Sequence, residues 1–564
     1  RETFLLTGTV HLLAISGLHV GILAGLFFVL YRADLISRNT CLICTILFVV
    51  FYAWLVEFRP PVSRAAILIV LFCLARLIGR TSSSFNWLAI AGLLVLVINP
   101  ADLFQVGPQL SFLAVATIVA GFRWIAPRKS SDPLQRLIDS TRPFPVRLLY
   151  WSGEKVRAAF LVSAIVWMVA MPLVAIRFHL SAPVALIVNP ILLIPIALAL
   201  YGGLGTLVFG SFFPPAGAIC GRLCDWNLSV VEWCIALATN VPGGHSWTAG
   251  PAVVSVIAFY AGMFLFAVWP ATRVSGKYVL IWVMCWTVFG WLVPQRILEA
   301  RHRDAEHALV ATFIDVGHGT SVLLQLPDGR NILYDAGSFG SANYAVQNVS
   351  SVLWHENVTH LDSVVVSHAD VDHFNALPEL MKRFSIGSLI VSYPMSNSDS
   401  ESVAVLLEAA RSNGIRVETV SSGDRLETDS LVDIKVLNPP EAGNGESDNA
   451  DSIVLLIEHS EKRLLLTGDL EGDALFELMS GSPLPFDIAM APHHGSLNSH
   501  PQTFARWCTP DYVVISGSVR KTGDEVTKQF ESAGAEVLST GLDGAVRFEI
   551  GEEVRARTWN DGGW

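Results

Sequence analysis

Charged residues are scarce in this sequence: Asp, Glu, Lys and Arg make up 15% of its 564 residues, while 52% are hydrophobic. That balance excludes a disordered chain and disfavours an ordinary soluble enzyme. Cysteine is scarce where a disulfide framework would need it, because seven of the eight cysteines precede residue 308 and only Cys508 follows. Cys41 and Cys44 have Cys-x-x-Cys spacing but lie in the apolar run Cys41-Leu-Ile-Cys44-Thr-Ile-Leu-Phe-Val-Val, where packing thiols are expected rather than a zinc or redox pair. The sequence has no Gly-x-x-x-x-Gly-Lys-[Ser/Thr] phosphate loop, so any ATP-driven motion has to come from another protein. It also lacks the n-region, h-region and cleavage site of a signal peptide. Starting at Arg1, it reads as a piece whose natural beginning lies upstream.

The charges that are present are unevenly placed. Residues 1–307 hold 22 basic and 12 acidic side chains, a balance of +10, whereas residues 308–564 hold 16 and 37, a balance of −21. The expected organisation is a polytopic α-helical membrane domain over 1–300 followed by a globular domain over 308–564. Candidate spans fall near 11–30, 40–58, 63–79, 86–99, 106–126, 160–178, 182–210, 251–270 and 278–294. The stretch 216–241, with Arg222, Asp225 and Glu232 among Trp and Leu residues, reads as an amphipathic helix at the membrane surface.

Basic residues in short connections orient such a bundle. The connection 123–157, with Arg123, Arg128, Lys129, Arg136, Arg142, Arg147, Lys155 and Arg157, is expected in the cytoplasm, as are Arg76 with Arg80, Arg32 with Arg38, and the loop with Arg273 and Lys277. Everything after Val293 then falls outside. His11, Ser16, His19 and Gln109 are candidates for a polar pathway, since polar groups in apolar spans must be satisfied inside lipid. Ordinary helix packing, with the histidines bonded to neighbouring carbonyls, accounts for the first three slightly better. Gly17 and Gly21 form a small-xxx-small pair, and Asn99-Pro100 and Asn189-Pro190 predict broken or re-entrant helices.

After residue 308 the pattern changes to short β-rich runs, such as Leu309 to Asp315 and Asn331 to Tyr334, alternating with helical stretches such as Ser402 to Ser412. Two sheets with helices packed outside, an α/β αββα sandwich, fit this mixture. Within it, Val364-Val-Val-Ser-His368-Ala-Asp370-Val-Asp372-His373 places four potential metal ligands within six residues of a strand end. An exposed acidic loop explains this poorly, because two further strands end in the same chemistry, Leu464-Leu-Leu-Thr467-Gly468-Asp469 and Met490-Ala-Pro-His493-His494-Gly-Ser496. Imidazoles and carboxylates without thiolates suit Zn²⁺ or Mn²⁺, and three such strand ends suit a two-metal site that clamps a phosphoryl group.

With these residues in view, the sequence resembles the ComEC competence membrane proteins. His11-Leu-Leu-Ala-Ile-Ser-Gly-Leu-His-Val-Gly21 is similar to their membrane signature, and Asp315-Val-Gly-His-Gly319, Tyr334-Asp-Ala-Gly337, Ser367-His-Ala-Asp-Val-Asp-His373, Leu466-Thr-Gly-Asp469 and His493-His-Gly-Ser496 follow the order of their metallo-β-lactamase-fold domain. The resemblance implies uptake of DNA in natural transformation, with one strand passing the bacterial inner membrane and the other hydrolysed by the lactamase-like domain on the outer face. By motif, His368, Asp370, Asp372, His373, Asp469 and one or both of His493 and His494 hold a divalent metal, two ions of Zn or Mn. Asp372 and His373 serve catalysis, Asp372 by taking a proton from the attacking water, and Asp335 and Asp315 stand behind the ligands. Asn449 and Ser452 correspond to a polar segment that faces the site.

Partners implied are DNA bound transiently without sequence preference, membrane lipid, and other competence proteins including a separate ATPase or DNA receptor. The −21 balance fits transient handling, since tight DNA binding rests on Lys and Arg; Arg520, Lys521 and Lys528 make one local basic group. Several positions depart from the family pattern: His318 stands for Gln, Thr320 for Asp, Asn375-Ala376 for Gly-Gly, and a Gly-His-Pro expected beyond Ile515 is missing, leaving Asp524 or His500 as substitutes. A catalytically degenerate binding or gating module is therefore the alternative reading of the domain. A membrane-tethered hydrolase of a small substrate ranks last, because an anchor does not need about nine spans.

Overall fold

The computed structural model describes residues 2–13, 16–79, 84–125, 141, 143–268, 276–294, 308–428, 431–445, 447–481, 483–517 and 524–563. Two compact units divide the chain at Leu292 and Val293. Arg80, Arg128, Lys129, Arg136, Arg142, Arg273, Arg520 and Lys521 lie outside the described residues.

Helices dominate the first unit. Arg38–Leu55, Pro60–Leu77, Phe144–Phe178 and Ala185–Phe209 are long and apolar enough to cross a membrane, and the shorter apolar helices Gly17–Arg32, Ser84–Ile98, Val106–Gly121, Val253–Phe266 and Lys277–Leu292 stand at the other expected positions. Several details differ from the sequence reading. Phe144–Phe178 has 35 residues, or about 52 Å of helix, so Arg147, Lys155 and Arg157 ride on a helix that outruns a hydrocarbon core of about 30 Å instead of lying in a loop. Asn99-Pro100 does interrupt its helix, with Asn99 capping the 3₁₀ turn Pro100–Leu103, but Ala185–Phe209 runs unbroken through Pro190 and Pro195.

The amphipathic stretch forms helix Pro214–Thr239, which pairs along its length with Ala185–Phe209. Small residues permit this: a Cβ on Gly202 would stand 2.9 Å from the Cys220 carbonyl oxygen, and one on Gly217 2.6 Å from the Gly210 Cα. The packed face, with Val231, Ile235 and Ala238 against Val188, Leu192 and Ile196, explains a helix whose other side keeps Arg222 and Glu232 exposed. Of the expected glycine pair only Gly17 makes a close approach, its Cβ position lying 3.0 Å from the Ala65 Cβ, while Gly21 meets nothing within 4 Å. The polar candidates are engaged locally. Ser16 meets His19 Nδ1 through both its N–H (3.0 Å) and its Oγ (2.9 Å), and Gln109 donates to the Leu103 carbonyl at 2.8 Å. His11 sits on the short helix Val10–Leu13. A two-residue pairing, β1 (Leu180–Ser181) with β2 (Ser246–Trp247), completes the described part of this unit.

Two sheets make the second unit. One follows the order β16 (Val554–Thr558), β15 (Val546–Ile550), β3 (Leu309–Phe313), β4 (Val322–Gln325), β5 (Asn331–Tyr334), β6 (His360–Val365), β7 (Ser385–Ser392), β8 (Arg416–Val420). The other follows β14 (Glu536–Ser539), β13 (Tyr512–Ile515), β12 (Ile488–Met490), β11 (Lys462–Leu466), β10 (Val454–His459), β9 (Asp433–Asn438). Inward residues of both, among them Phe313, Leu324, Tyr334, Leu455, Leu466, Met490 and Phe548, share one dry core. A second core lies behind the smaller sheet, where Phe504, Trp507 and Phe530 of the outer helices cover Leu465, Ala489 and Val513. On the other side Val346, Val349, Leu353, Leu406 and Ala410 are buried from helices Ala342–His355 and Glu401–Ser412. The unit is the expected αββα sandwich. β5 to β8 run parallel, as do β11 to β14, so within each sheet the carboxyl ends of four strands lie on one rim, and the motif residues follow the ends of β6, β11 and β12.

The sheets are also sewn together by polar contacts. The Tyr334 hydroxyl, fully buried, donates to the Ile453 carbonyl at 2.7 Å, and the Ile453 N–H donates to the Ser367 carbonyl at 2.7 Å. Tyr334→Phe leaves that carbonyl without its hydroxyl donor in a place water does not reach, and is expected to cost about 1–3 kcal/mol. The check is the midpoint of thermal unfolding of the detergent-solubilised chain, which should fall in the variant.

Candidate metal centre

The rim gathers the motif residues because each follows directly on a strand. β6 ends at Val365 and is followed by His368, Asp370, Asp372 and His373; β11 delivers Asp469; β12 delivers His493 and His494; and the turn after β3 delivers His318. Tight backbone geometry fixes these loops. Gly468 has φ 55° and no room for a Cβ, which would lie 2.9 Å from that of Ser367, and a Cβ on Gly337 would lie 2.3 Å from the Asp372 carbonyl oxygen. His493 and His494 both occupy the left-handed region (φ 48° and 54°), a strain that turns two adjacent imidazoles in different directions.

Two sets of three side chains each bring one ligand atom within 4.8 Å of one another: His368, His373 and Asp469, all buried, and His318, Asp372 and His494. Five of the seven residues expected as ligands are among them. Asp370 stands aside, its carboxylate 51% exposed and 3.5 Å from His368 Nε2. His493 turns outward, its Nδ1 bonded to Glu471 Oε2 at 2.7 Å and its Nε2 3.8 Å from Asp469 Oδ2. His318, read from the sequence as a departure, is instead part of the second set. Each set draws on loops of both sheets.

Supporting contacts orient the rings. The Asp335 carboxylate, wholly buried and at φ 57°, takes the Ser367 N–H on one oxygen (2.7 Å) and His373 Nδ1 on the other (2.8 Å), which aims His373 Nε2 at Asp469 Oδ1, 3.4 Å away. His368 Nδ1 meets Ser367 Oγ at 2.9 Å, and His494 Nδ1 donates to the Ser516 carbonyl at 2.7 Å. The Asp315 carboxylate accepts the Gly317 N–H at 3.0 Å and so shapes the turn that bears His318. Asn449 donates to Glu471, bracing it against His493, whereas Ser452 Oγ is buried beside Gly468 with no hydrogen bond among the described residues. Asn375 spans both backbone groups of Ser338. His500 packs on the Phe476 ring, centroids 4.9 Å apart, and belongs to neither set, and the side chain of Asp524 lies outside the described residues.

The fit to a divalent cation rests on four buried atoms that make no hydrogen bond among the described residues: His368 Nε2, His373 Nε2, His494 Nε2 and Asp469 Oδ1. They are N and O donors behind a layer of fixed partners, the arrangement that Zn²⁺ and Mn²⁺ sites use. Electrostatics point the same way. Burial opposes a charged His373, but Asp469 and Asp335 outweigh it and hold its pKa well above the usual imidazole value. Burial likewise opposes a charged Asp469, and the neighbouring His373 and His494 outweigh it and hold its pKa well below the carboxylate range. Burial lowers His494 to about 4, leaving it neutral and ready to coordinate. The neighbouring His368 imidazole, 3.5 Å away, lowers the pKa of Asp370.

Comparison with known proteins agrees with this picture. Residues 1–273 match the competence protein family model, and residues 314–531 match the metallo-beta-lactamase superfamily model. ComE operon protein 3 of Bacillus subtilis (strain 168) is 27% identical over 97% of this chain and 68% of its own length. Competence protein ComA of Neisseria gonorrhoeae is 27% identical over 98% of this chain and 72% of its own. Recombination protein 2 of Haemophilus influenzae is 23% identical over 90% of this chain and 64% of its own.

Two outcomes are expected. A divalent ion on His373 Nε2 would displace the proton that Asp469 favours there, so binding should release protons and apparent affinity should rise with pH. Titration calorimetry in buffers of differing ionisation enthalpy measures it; a heat independent of buffer would contradict the assignment. Without the ion, the raised His373 pKa contributes stability that is full below pH about 6.5 and fades as pH rises through its folded value, and the depressed Asp469 pKa contributes stability that fades as pH falls through its own. Asp335→Asn removes the charge that aims His373 and should weaken metal binding about 10–100-fold, measured by competition with a chelating dye.

Proposed function

We propose, from a chain that joins a competence protein domain over 1–273 to a metallo-beta-lactamase domain over 314–531, that this protein takes up DNA, passing one strand through the helical unit while the second unit hydrolyses the other. The observation that supports hydrolysis most directly is the pair of adjacent three-residue ligand sets on one rim, with Asp469 offering Oδ1 toward His373 at 3.4 Å and Oδ2 toward His494 Nε2 at 3.3 Å. A carboxylate placed in this way could help hold cations of the kind used in two-metal phosphodiester chemistry. Bound Zn²⁺ or Mn²⁺ would supply a Lewis acid for the phosphoryl oxygens and an acidified water.

The chain's own residues do the rest. His368, His373 and Asp469 exclude bulk water from the floor, and Asp335 keeps His373 in one orientation. Asp372, half-buried at the open side, receives the proton of the attacking water. Substrate meets little fixed positive charge, consistent with the −21 balance after residue 307, so binding is brief and independent of base sequence, and a separate ATPase supplies motion. The nuclease unit lies on the outer face, where incoming duplex arrives. Arg32 and Arg38, between Gly17–Arg32 and Arg38–Leu55, and Arg76 at the end of Pro60–Leu77 support that orientation.

The purified chain with Mn²⁺ or Zn²⁺ is expected to cut DNA, and His368→Ala or Asp469→Asn to slow cutting by about 10²-fold or more at unchanged membrane insertion. Metal binding without any cutting would favour a binding or gating module instead. Fusions of periplasmic and cytoplasmic reporters after Leu298 should be active only outside; activity inside would overturn the orientation.

A further inference from the structure

We infer that His318 is a metal ligand and completes, with Asp372 and His494, the site of the second of the two ions on which the proposed reaction rests. Its ligand atom shares a 4.8 Å neighbourhood with those of the other two residues, and His494 Nε2, on a side chain only 5% exposed, makes no hydrogen bond among the described residues. The His318 and His494 rings lie with centroids 4.7 Å apart and planes inclined at 49°, a tilted pair rather than a stack.

The backbone around His318 is built to hold that ring. Gly317 has φ 79° and Gly319 φ 159°, and a Cβ on Gly319 would lie 2.3 Å from the Gly337 carbonyl oxygen, so the Gly-His-Gly turn is pressed against the segment leading to Phe339. The His318 carbonyl takes the Phe339 N–H at 2.6 Å. Ser516, at the end of β13, ties the set together: its Oγ donates to the Gly319 carbonyl at 2.8 Å and its own carbonyl takes His494 Nδ1 at 2.7 Å. One residue thus fixes both the loop carrying His318 and the tautomer of His494, leaving Nε2 of the latter as the coordinating atom. The segment after Ile515, where the sequence offers no histidine, then needs to supply none.

The test uses the full chain in detergent, stripped with chelator and reloaded with Mn²⁺, and reads metal content by mass spectrometry and spin coupling by electron paramagnetic resonance. The parent protein should take up about two ions per chain and show an exchange-coupled pair. His318→Phe keeps the ring volume against His494 and Phe339 but removes both nitrogens. It should hold about one ion with the isolated six-line spectrum, and His318→Asp should restore the coupled signal. Thermal unfolding of each ion-free variant, matched to the parent, separates loss of a ligand from loss of fold. A coupled pair retained in His318→Phe, or a parent that never takes up a second ion, would overturn the assignment. DNA cutting plays no part in the readout, so a protein that holds two ions yet leaves DNA intact removes the nuclease reading and leaves this one standing.

Discussion

The contact between Asp335 and His373 is the one on which the rim depends. A carboxylate with no solvent exposure tolerates burial only because both of its oxygens are used, one by the Ser367 N–H and one by His373 Nδ1. That bond sets the ring plane of His373 and aims its far nitrogen at Asp469. It also joins the end of β5 to the loop after β6, so the parallel pairing of two strands and the orientation of a ligand are one constraint. Asp335 accepts a left-handed backbone to make it, a local cost that the surrounding hydrogen bonds offset.

Charge has different meanings in the two units. In the first, the described Lys and Arg side chains are sparse, and several sit at helix ends or on the overlong helix Phe144–Phe178, the placement expected of residues that would orient a bundle. In the second, the buried carboxylates Asp335 and Asp469 sit against imidazoles, while the others lie mostly at the surface. Net charge, which is −11 for the chain, therefore describes neither unit. A histidine-rich site framed by carboxylates could act on a polyanion only with cations between them, and on that reading the acidic balance would be compatible with a nucleic-acid substrate.

Much of this was legible in the sequence where the information is local. A strand running into His-x-Asp-x-Asp-His, or into Thr-Gly-Asp, announces itself within ten residues, and the two-layer sandwich followed from the alternation of β-rich runs and helices. What was not legible comes from long range. His318 looked like a substitution because nothing near it in the chain shows that it meets His494, 176 positions later. Glu471, which turns His493 away, and Ser516, which holds His494, carry no motif of their own. In the first unit the length of Phe144–Phe178 was missed because basic residues at its start read as a loop, and the unbroken course of Ala185–Phe209 shows packing overriding the usual effect of proline.

One feature of the rim reaches beyond the reaction. Each set of three takes ligands from loops of both sheets: His368 and His373 face Asp469 across the seam, and His318 and Asp372 face His494. A cation held by either set would act as a rivet between the two halves of the sandwich. Occupancy would then add to folding stability by mass action, by about 2.7 kcal/mol for an ion at one hundred times its dissociation constant. The sandwich would be tightest where the ion is plentiful and would loosen where it is withdrawn, so that metal supply would govern how long the domain survives proteases as well as whether it can act.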